Sequence, residues 1–259
     1  MSGFRVYVPE GAPESGPVEL PAAEAHHLVR VLRARVGDAV TLFDGHGAAW
    51  EARLSVVESR RAVAQVHARE EVSTPAQALV LTLALVKGKA FDEIVRQATQ
   101  IGVSAIRPVA TARCEVKLDG DRASSKLDHW RAVAVEACKQ SGNLRLPELL
   151  EPLPLAGAVK LPAALRLVAS LEAGTLPLAH ALREATPKAG QVPASESGQP
   201  SASPGPWEIA IGPEGDFSPE EYALLRQSGY RPVSLARHVL RAETAALYAL
   251  SVMDALRQG

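Results

Sequence analysis

Apolar residues recur along this chain in two rhythms, and the change falls near residues 70–75. Before it, short runs with strand-like patterning dominate: Phe4 to Val8, Ala39 to Phe43, Ala48 to Val56 and Ala62 to Val66. Val36-Gly37-Asp38 and Asp44-Gly45-His46-Gly47 separate them, and glycine with aspartate favours chain reversal. One stretch, Glu24 to Arg33, has helical spacing. Leu28, Val31 and Leu32 mark its apolar stripe, Arg30 and Arg33 point elsewhere, and Arg35 lies just beyond. Residues 1–72 thus predict a small β-barrel, about 70 residues being a usual size for a compact module.

After Pro75 the runs lengthen. Leu79 to Val86 (LVLTLALV) is continuously apolar, as a strand buried on both faces should be. Phe91, Ile94, Val95, Ala98 and Ile101 then recur at helical spacing, with Gly102 at the expected C-cap. Further strands are predicted at Ala105 to Ala110, Leu165 to Leu171, Trp207 to Ile211 and Pro232 to Leu235. Helices are predicted at Lys126 to Gln140, Leu176 to Glu184, Pro219 to Gln227 and Glu243 to Leu256. This alternation over residues 73–259 predicts an α/β domain with a parallel sheet covered on both faces. Such sheets bind ligands outside the carboxyl ends of their strands. Residues 185–206 break the pattern. They are rich in Pro, Ser, Gly and Ala and lack apolar periodicity, so they read as a flexible low-complexity loop.

Composition narrows the possible functions. The chain has 259 residues, 28 Lys plus Arg and 29 Asp plus Glu, so any nucleic-acid contact must come from local basic clusters. Aromatic residues make up only 4%, too few for a broad base-stacking platform. No apolar run approaches the roughly 20 residues of a membrane span, and no signal peptide is evident, so a cytoplasmic protein is expected. Cys114 and Cys138 are the only cysteines, which excludes a disulfide framework and a four-cysteine zinc site. The adjacent His26 and His27 make a poor metal pair, and no metal is expected.

Three segments carry candidate chemistry. Ile211-Gly212-Pro213-Glu214-Gly215-Asp216 follows an apolar strand, and Ser218-Pro219-Glu220-Glu221 then signals a capped helix start. Glycines there let backbone approach a ligand, although for this motif alone a strand-to-helix turn that simply needs glycine is the better-supported alternative. Leu235 to Ala245 (LARHVLRAETA) sets Arg237, His238, Arg241 and Glu243 at another strand end; a solvated turn with an Arg–Glu pair is the alternative. Arg113 and Lys117 follow a third strand, and Lys139 and Arg145 lie in EACKQSGNLRL. With Lys87 and Lys89 they are candidate phosphate contacts or ordinary surface cations. The strand ends at Leu171-Glu172, Gly212 and Leu235 would open on one edge of the sheet.

Taken in order, HHLVRVLRARVGDAVTLFDGHG, KGKAFDEIVRQATQIGVSAIRPV, RCEVKLD, EACKQSGNLRLPEL, IGPEGDFSPEE and LARHVLRAETAAL resemble the bacterial 16S ribosomal RNA (uracil-N3)-methyltransferase family of the SPOUT superfamily. The resemblance implies an N-terminal PUA-like RNA-binding barrel and a C-terminal trefoil-knot domain that binds S-adenosylmethionine and forms a homodimer. The cofactor would sit among Leu171-Glu172-Ala173, Ile211-Gly212-Pro213-Glu214-Gly215, and Leu235, Ala236, Val239, Leu240 and Arg241. The partner would be 16S rRNA in the 30S subunit, held by Arg30, Arg33 and Arg35 and by the basic residues after the strands. Arg241 would stabilise or orient the uracil and Arg113 steer the RNA, with Glu214 and Glu243 as possible bases. The chain departs from the family pattern in three places. The usual GPEGG ends in Asp216, the usual Leu-Gly-x-Arg reads Leu235-Ala236-Arg237-His238, and Glu-Gln-x-Gly-Arg reads Lys139-Gln140-Ser141-Gly142-Asn143. A non-catalytic RNA-binding protein on the same fold and a ribose 2′-O-methyltransferase are the rival readings.

Overall fold

The computed structural model describes residues 3–114, 120–185 and 205–257. Lys117 lies outside the described residues, as do residues 186–204 of the expected low-complexity loop. Packing divides the chain into two compact units, Met1–Thr74 with Val135–Leu146, and Pro75–Ala134 with Pro147–Gly259.

The first unit contains β1 (Phe4–Tyr7), β2 (Gly16–Glu19), α1 (Ala22–Arg30), β3 (Ala39–Phe43), β4 (Ala48–Val57) and β5 (Ala62–Glu71). They form a five-stranded sheet in the order β1-β3-β4-β5-β2, parallel between β1 and β3 and antiparallel elsewhere. In β4 the alternation becomes burial: Trp50, Ala52 and Leu54 face the core, while Glu51, Arg53 and Ser55 face water. Helix α1 is shorter than its pattern suggested. It ends at Arg30, and the chain turns through a left-handed Arg33 (φ 54°), which leaves Val31 61% and Leu32 39% exposed. Only Leu28 of the expected stripe reaches the core. Strand β2 has no apolar signature, because Gly16 and Pro17 interrupt it; as an edge strand it tolerates proline.

Residues 135–146, expected with the second domain, pack with the first unit. Cys138 is fully buried against Phe43 and Ala49, flanked by Tyr7, Leu144 and Leu146, and burial pushes its thiol pKa up to about 12. Arg5 donates to the Lys139 carbonyl at 2.9 Å. Gly47 (φ 113°) explains the glycine-rich turn: a Cβ there would sit 2.5 Å from the Arg145 guanidinium.

The second unit contains β6 (Leu79–Ala84), α2 (Ala90–Ile101), β7 (Ala105–Ala110), most of α3 (Gly120–Ser141), β8 (Glu148–Leu149), β9 (Leu153–Pro154), α4 (Leu155–Ala158), β10 (Leu165–Ala169), β11 (Leu176–Pro177), α5 (Leu178–Ala185), β12 (Trp207–Ile211), α6 (Pro219–Gln227), β13 (Arg231–Ser234) and α7 (Ala242–Arg257). Its parallel sheet runs β11-β13-β10-β12-β6-β7-β8, with β9 also on β7. All six residues of β6 are buried, as the unbroken apolar run required. Leu155, Phe217, Tyr222 and Leu225 cover Ala84, Val168 and Ala210 on one face. Helix α7 packs with α2, α5, β6 and β12. Gly102 takes the left-handed C-cap (φ 93°) that ends α2.

A charged cluster is sealed inside this sheet. Glu208 of β12 is fully buried and accepts from Arg107 Nη1 of β7 at 2.6 Å, the Tyr230 hydroxyl at 2.7 Å and the Thr82 hydroxyl of β6. Burial, reinforced by Glu208, drives the Tyr230 pKa far above its ordinary value and keeps it a neutral donor.

Candidate active site

Because β10, β12 and β13 run parallel, the loops that follow them open on one edge of the sheet. They enclose a cleft of about 620 Å³, counted to its open mouth. Ala169, Ser170 and Leu171 line it from the first loop. The second loop supplies Ile211, Gly212, Pro213, Glu214 and Asp216, and the third supplies Leu235, Ala236, His238, Val239 and Leu240. Ala242 and Ala245 of α7 complete the wall.

Nine residues assigned from sequence to a cofactor stand in that lining: Leu171, Ile211, Gly212, Pro213, Glu214, Leu235, Ala236, Val239 and Leu240. The other four lie outside it. Glu172 turns to Arg226 of α6, with oxygens 2.8 and 3.0 Å from Nη1. Ala173 is exposed, and the Gly215 carbonyl faces Arg113. Arg241 immediately precedes α7, its carbonyl accepting the Ala245 amide at 2.8 Å. Sequence reasoning missed Ala169, Ser170, Asp216, Ala242 and Ala245 as lining residues and placed His238 in the third loop without assigning it to the cofactor; the unusual residues at 216 and 238 were the available signals.

The second loop is heavily braced. Its backbone closes with the Asp216 amide on the Pro213 carbonyl at 2.9 Å. Asp216 takes a left-handed conformation (φ 62°), which aspartate tolerates better than most residues. Its Oδ1 accepts from the Phe217 amide at 2.8 Å and the Tyr222 hydroxyl at 2.9 Å. Burial, with Asp216 and Glu172 nearby, raises the Tyr222 pKa well above its ordinary value, so the hydroxyl stays a donor. Ser218 caps α6 in a reciprocal box: Oγ accepts the Glu221 amide at 3.2 Å, and Glu221 Oε2 accepts the Ser218 amide at 2.8 Å. Glu221 Oε1 also accepts the Ala112 amide at 2.7 Å, tying in the loop after β7. From that loop Arg113 donates to the Gly215 carbonyl at 2.5 Å. Glycine keeps residue 212 close to Phe217: a Cβ there would lie 3.2 Å from the ring, which would have to give by a few tenths of an ångström.

The third loop is open. Arg237, His238 and Arg241 are exposed, and none has a side-chain partner among the described residues; Arg241 and Glu243 form no pair. Val239 is 75% and Leu171 63% exposed. The lining fits a nucleoside-bearing sulfonium compound. Leu171, Ile211, Leu235, Val239 and Leu240 offer apolar walls to a base, while Glu214 and Asp216 are acceptors of the right sign for hydroxyls and positive charge.

The basic residues expected to meet RNA divide into two sets. Arg30, Arg33 and Arg35 are exposed without side-chain partners among the described residues, and Lys87 and Lys89 are exposed before α2. Lys139 and Arg145 are occupied within the first unit. Lys139 lies 2.5 Å from Glu24 and 2.9 Å from Glu136; burial opposes its charge, yet these carboxylates hold its pKa above the ordinary lysine value. Arg145 donates to the Val72 carbonyl at 2.7 Å. Neither side chain is a free cation, because each is spent inside the fold. Among the described residues no group of three or more His, Cys, Asp and Glu gathers as a metal site would need, and no helix is long and apolar enough to cross a membrane.

Known proteins share this architecture. Residues 73–254 match the family described as RNA methyltransferase domain, and residues 20–66 match the RNA methyltransferase PUA domain. The Ribosomal RNA small subunit methyltransferase E of Synechocystis sp. is 34% identical over 92% of this chain and 73% of its own length. That of Mycobacterium bovis is 30% identical over 94% and 88%. A methyltransferase from Legionella pneumophila, solved with the cofactor SAM bound, superposes with a TM-score of 0.84 at 30% identity, covering 98% of both chains. The Neisseria gonorrhoeae Ribosomal RNA small subunit methyltransferase E bound to S-adenosyl methionine gives 0.81 at 29% identity, with the same coverage. With an N-terminal PUA-like unit and a parallel-sheet methyltransferase unit, the chain belongs to the family of RNA methyltransferases that includes Ribosomal RNA small subunit methyltransferase E.

Proposed function

We propose that this protein uses S-adenosylmethionine to methylate 16S rRNA of the small ribosomal subunit, at N3 of a uridine. The observation that carries the reading is the cleft at three strand ends, apolar-walled and carboxylate-lined, with unpaired arginines beside it. When bound, the cofactor supplies an already activated methyl group on a sulfonium. The protein's task is then positioning and charge management. Leu235, Val239 and Leu240 wall the base of the cofactor, and the braced 212–217 loop fixes its orientation. Arg241 stabilises the negative charge left on the uracil when N3 gives up its proton. Glu214, lining the cleft without a partner among the described residues, is the candidate to accept that proton, with Glu243 in the first turn of α7 as the second. N3 is hidden by pairing in a duplex, so the target nucleotide is unpaired or extruded.

Arg30, Arg33 and Arg35 of the first unit engage RNA phosphates, and Lys87 and Lys89 add to that field. The trefoil knot belongs to the same proposal. It is supported by the order β13-β10-β12, in which the chain leaving β12 passes beyond β10 before forming β13. A homodimer and a cytoplasmic location are part of it too. The test is transfer of labelled methyl from S-adenosylmethionine to 30S subunits lacking the modification, followed by nucleoside analysis. The expected product is 3-methyluridine. Methyl on a ribose overturns the assigned atom, and binding of neither cofactor nor RNA overturns the reading altogether.

A further inference from the structure

Among the residues lining the cleft, Glu214 and Asp216 are the acids, and no lysine or arginine joins them. The two acids differ in how they are held. Glu214 is exposed and has no partner among the described residues, so it is free to swing away. Asp216 is pinned: its backbone closes the 213–216 turn, and Oδ1 accepts both the Phe217 amide and the Tyr222 hydroxyl. Neither donor is charged, so the negative charge of Asp216 is not neutralised by an ion pair. A fixed charge in a half-open cleft discriminates between ligands of different charge and needs no reorganisation when they exchange. The methyl donor carries a formal positive charge on sulfur, and its demethylated product, S-adenosylhomocysteine, has lost it.

We propose that Asp216 is a specificity-determining residue that makes the cleft prefer the cationic methyl donor over the neutral product. This rests on the cofactor reading above. It gives the departure from the usual glycine a chemical role: the spent cofactor leaves more readily than its shared adenosine and amino-acid parts would dictate. Asp216 acts on the sulfonium through charge and takes no proton.

The test uses the full chain and calorimetric titration with S-adenosylmethionine and, separately, S-adenosylhomocysteine. Asp216→Asn removes the charge but keeps an oxygen for the Phe217 amide and the Tyr222 hydroxyl, and asparagine also tolerates the left-handed angle. Asp216→Gly restores the usual residue and suits that angle better still. An opposite charge lining a partly open cleft shifts an equilibrium by about tenfold, so each variant should lose about tenfold of the donor-over-product preference. Raising salt should erode the wild-type preference more steeply than that of either variant, which keeps only Glu214, a response that a merely structural role would not give. An unchanged preference in Asp216→Asn, or a change in one variant alone, overturns the proposal while leaving the cofactor reading intact. Failure of the wild type to bind either ligand overturns both.

Discussion

The loops at 212–218 and 235–241 border the same cleft, but they are built on opposite principles. The first is tied at nearly every residue: a turn closed by the Asp216 amide, an aspartate held by Tyr222, a capping box at Ser218, and ties from Ala112 and Arg113. The second presents Arg237, His238, Val239 and Arg241 to solvent, and none of its charged side chains has a partner among the described residues. Backbone that must orient a ligand gains from restraint, since ordering entropy is then spent on folding and not on binding. Side chains that must engage a large, variable polyanion gain from being unpaired, because an arginine already in an ion pair has to break it first. Within one cleft the fold therefore separates holding from reaching.

The largest break in that contrast should come from Arg241→Ala. In the proposed role of Arg241, losing its charge should lower single-turnover methylation about 10²–10³-fold. Calorimetric affinity for the cofactor should stay within about twofold, since Arg241 is outside the lining; unimpaired methylation would remove it from the chemistry. The unpaired arginines of the first unit extend the reaching side of the contrast. Replacing Arg30, Arg33 and Arg35 together by alanine should weaken RNA binding at least tenfold at low salt and flatten the salt dependence by about two ions. Normal binding would reassign them to ordinary surface. Arg113→Ala attacks the holding side. It frees the Gly215 carbonyl, so cofactor affinity should fall about threefold to tenfold, and amide exchange at 213–217 should approach that of 236–240.

Smaller effects sharpen the comparison further. Ser218→Ala removes the cap of α6 and should cost about 1 kcal/mol in denaturant unfolding. The same change placed in the third loop, at Arg237, should cost nothing measurable by that assay. Acid should act on the braced loop at the start of α6. The Ser218 hydroxyl beside Glu220 is the main reason its pKa lies below the ordinary 4.5. Its contribution is thus complete above the unfolded value and is lost as pH falls through the lower folded one. Hydrogen exchange should loosen the start of α6 below about pH 4.5; an unchanged start of α6 would contradict the role of that contact.

Local pattern made most of this fold legible, and its failures are long-range. The apolar run at 79–86, the spacing of Phe91, Ile94, Val95 and Ala98, and Gly102 encode β6 and α2 within a few neighbours. The start of α6 was readable to the residue because a cap, a proline and a capping glutamate act inside one turn. Val31 and Leu32 misled, since helical spacing gives no notice of a left-handed turn at Arg33. Lys139 and Arg145 misled for another reason. Their partners Glu24 and Val72 lie 115 and 73 residues away, and nothing local distinguishes an engaged cation from a free one. The three cleft loops could be placed from strand ends alone. Which of their residues turn inward could not, because Glu172 leaves for an arginine on α6 and Asp216 stays through a tyrosine on the same helix.

The sealed cluster around Glu208 bears on how this chain finds its sheet. Arg107, Thr82 and Tyr230 reach that carboxylate from 101, 126 and 22 residues away, and Glu208 Oε2 and Arg107 Nε have no further partner among the described residues. The surrounding strands are apolar and interchangeable in character, so hydrophobic contact alone would accept β6 slid along β12, or β7 along β6, by two residues. Such a slip would strand an anion and a cation apart in a dry interior, at a cost of several kcal/mol. The cluster thus works as a proofreading mark, penalising misaligned collapse around β12, the strand from which the braced cleft loop emerges.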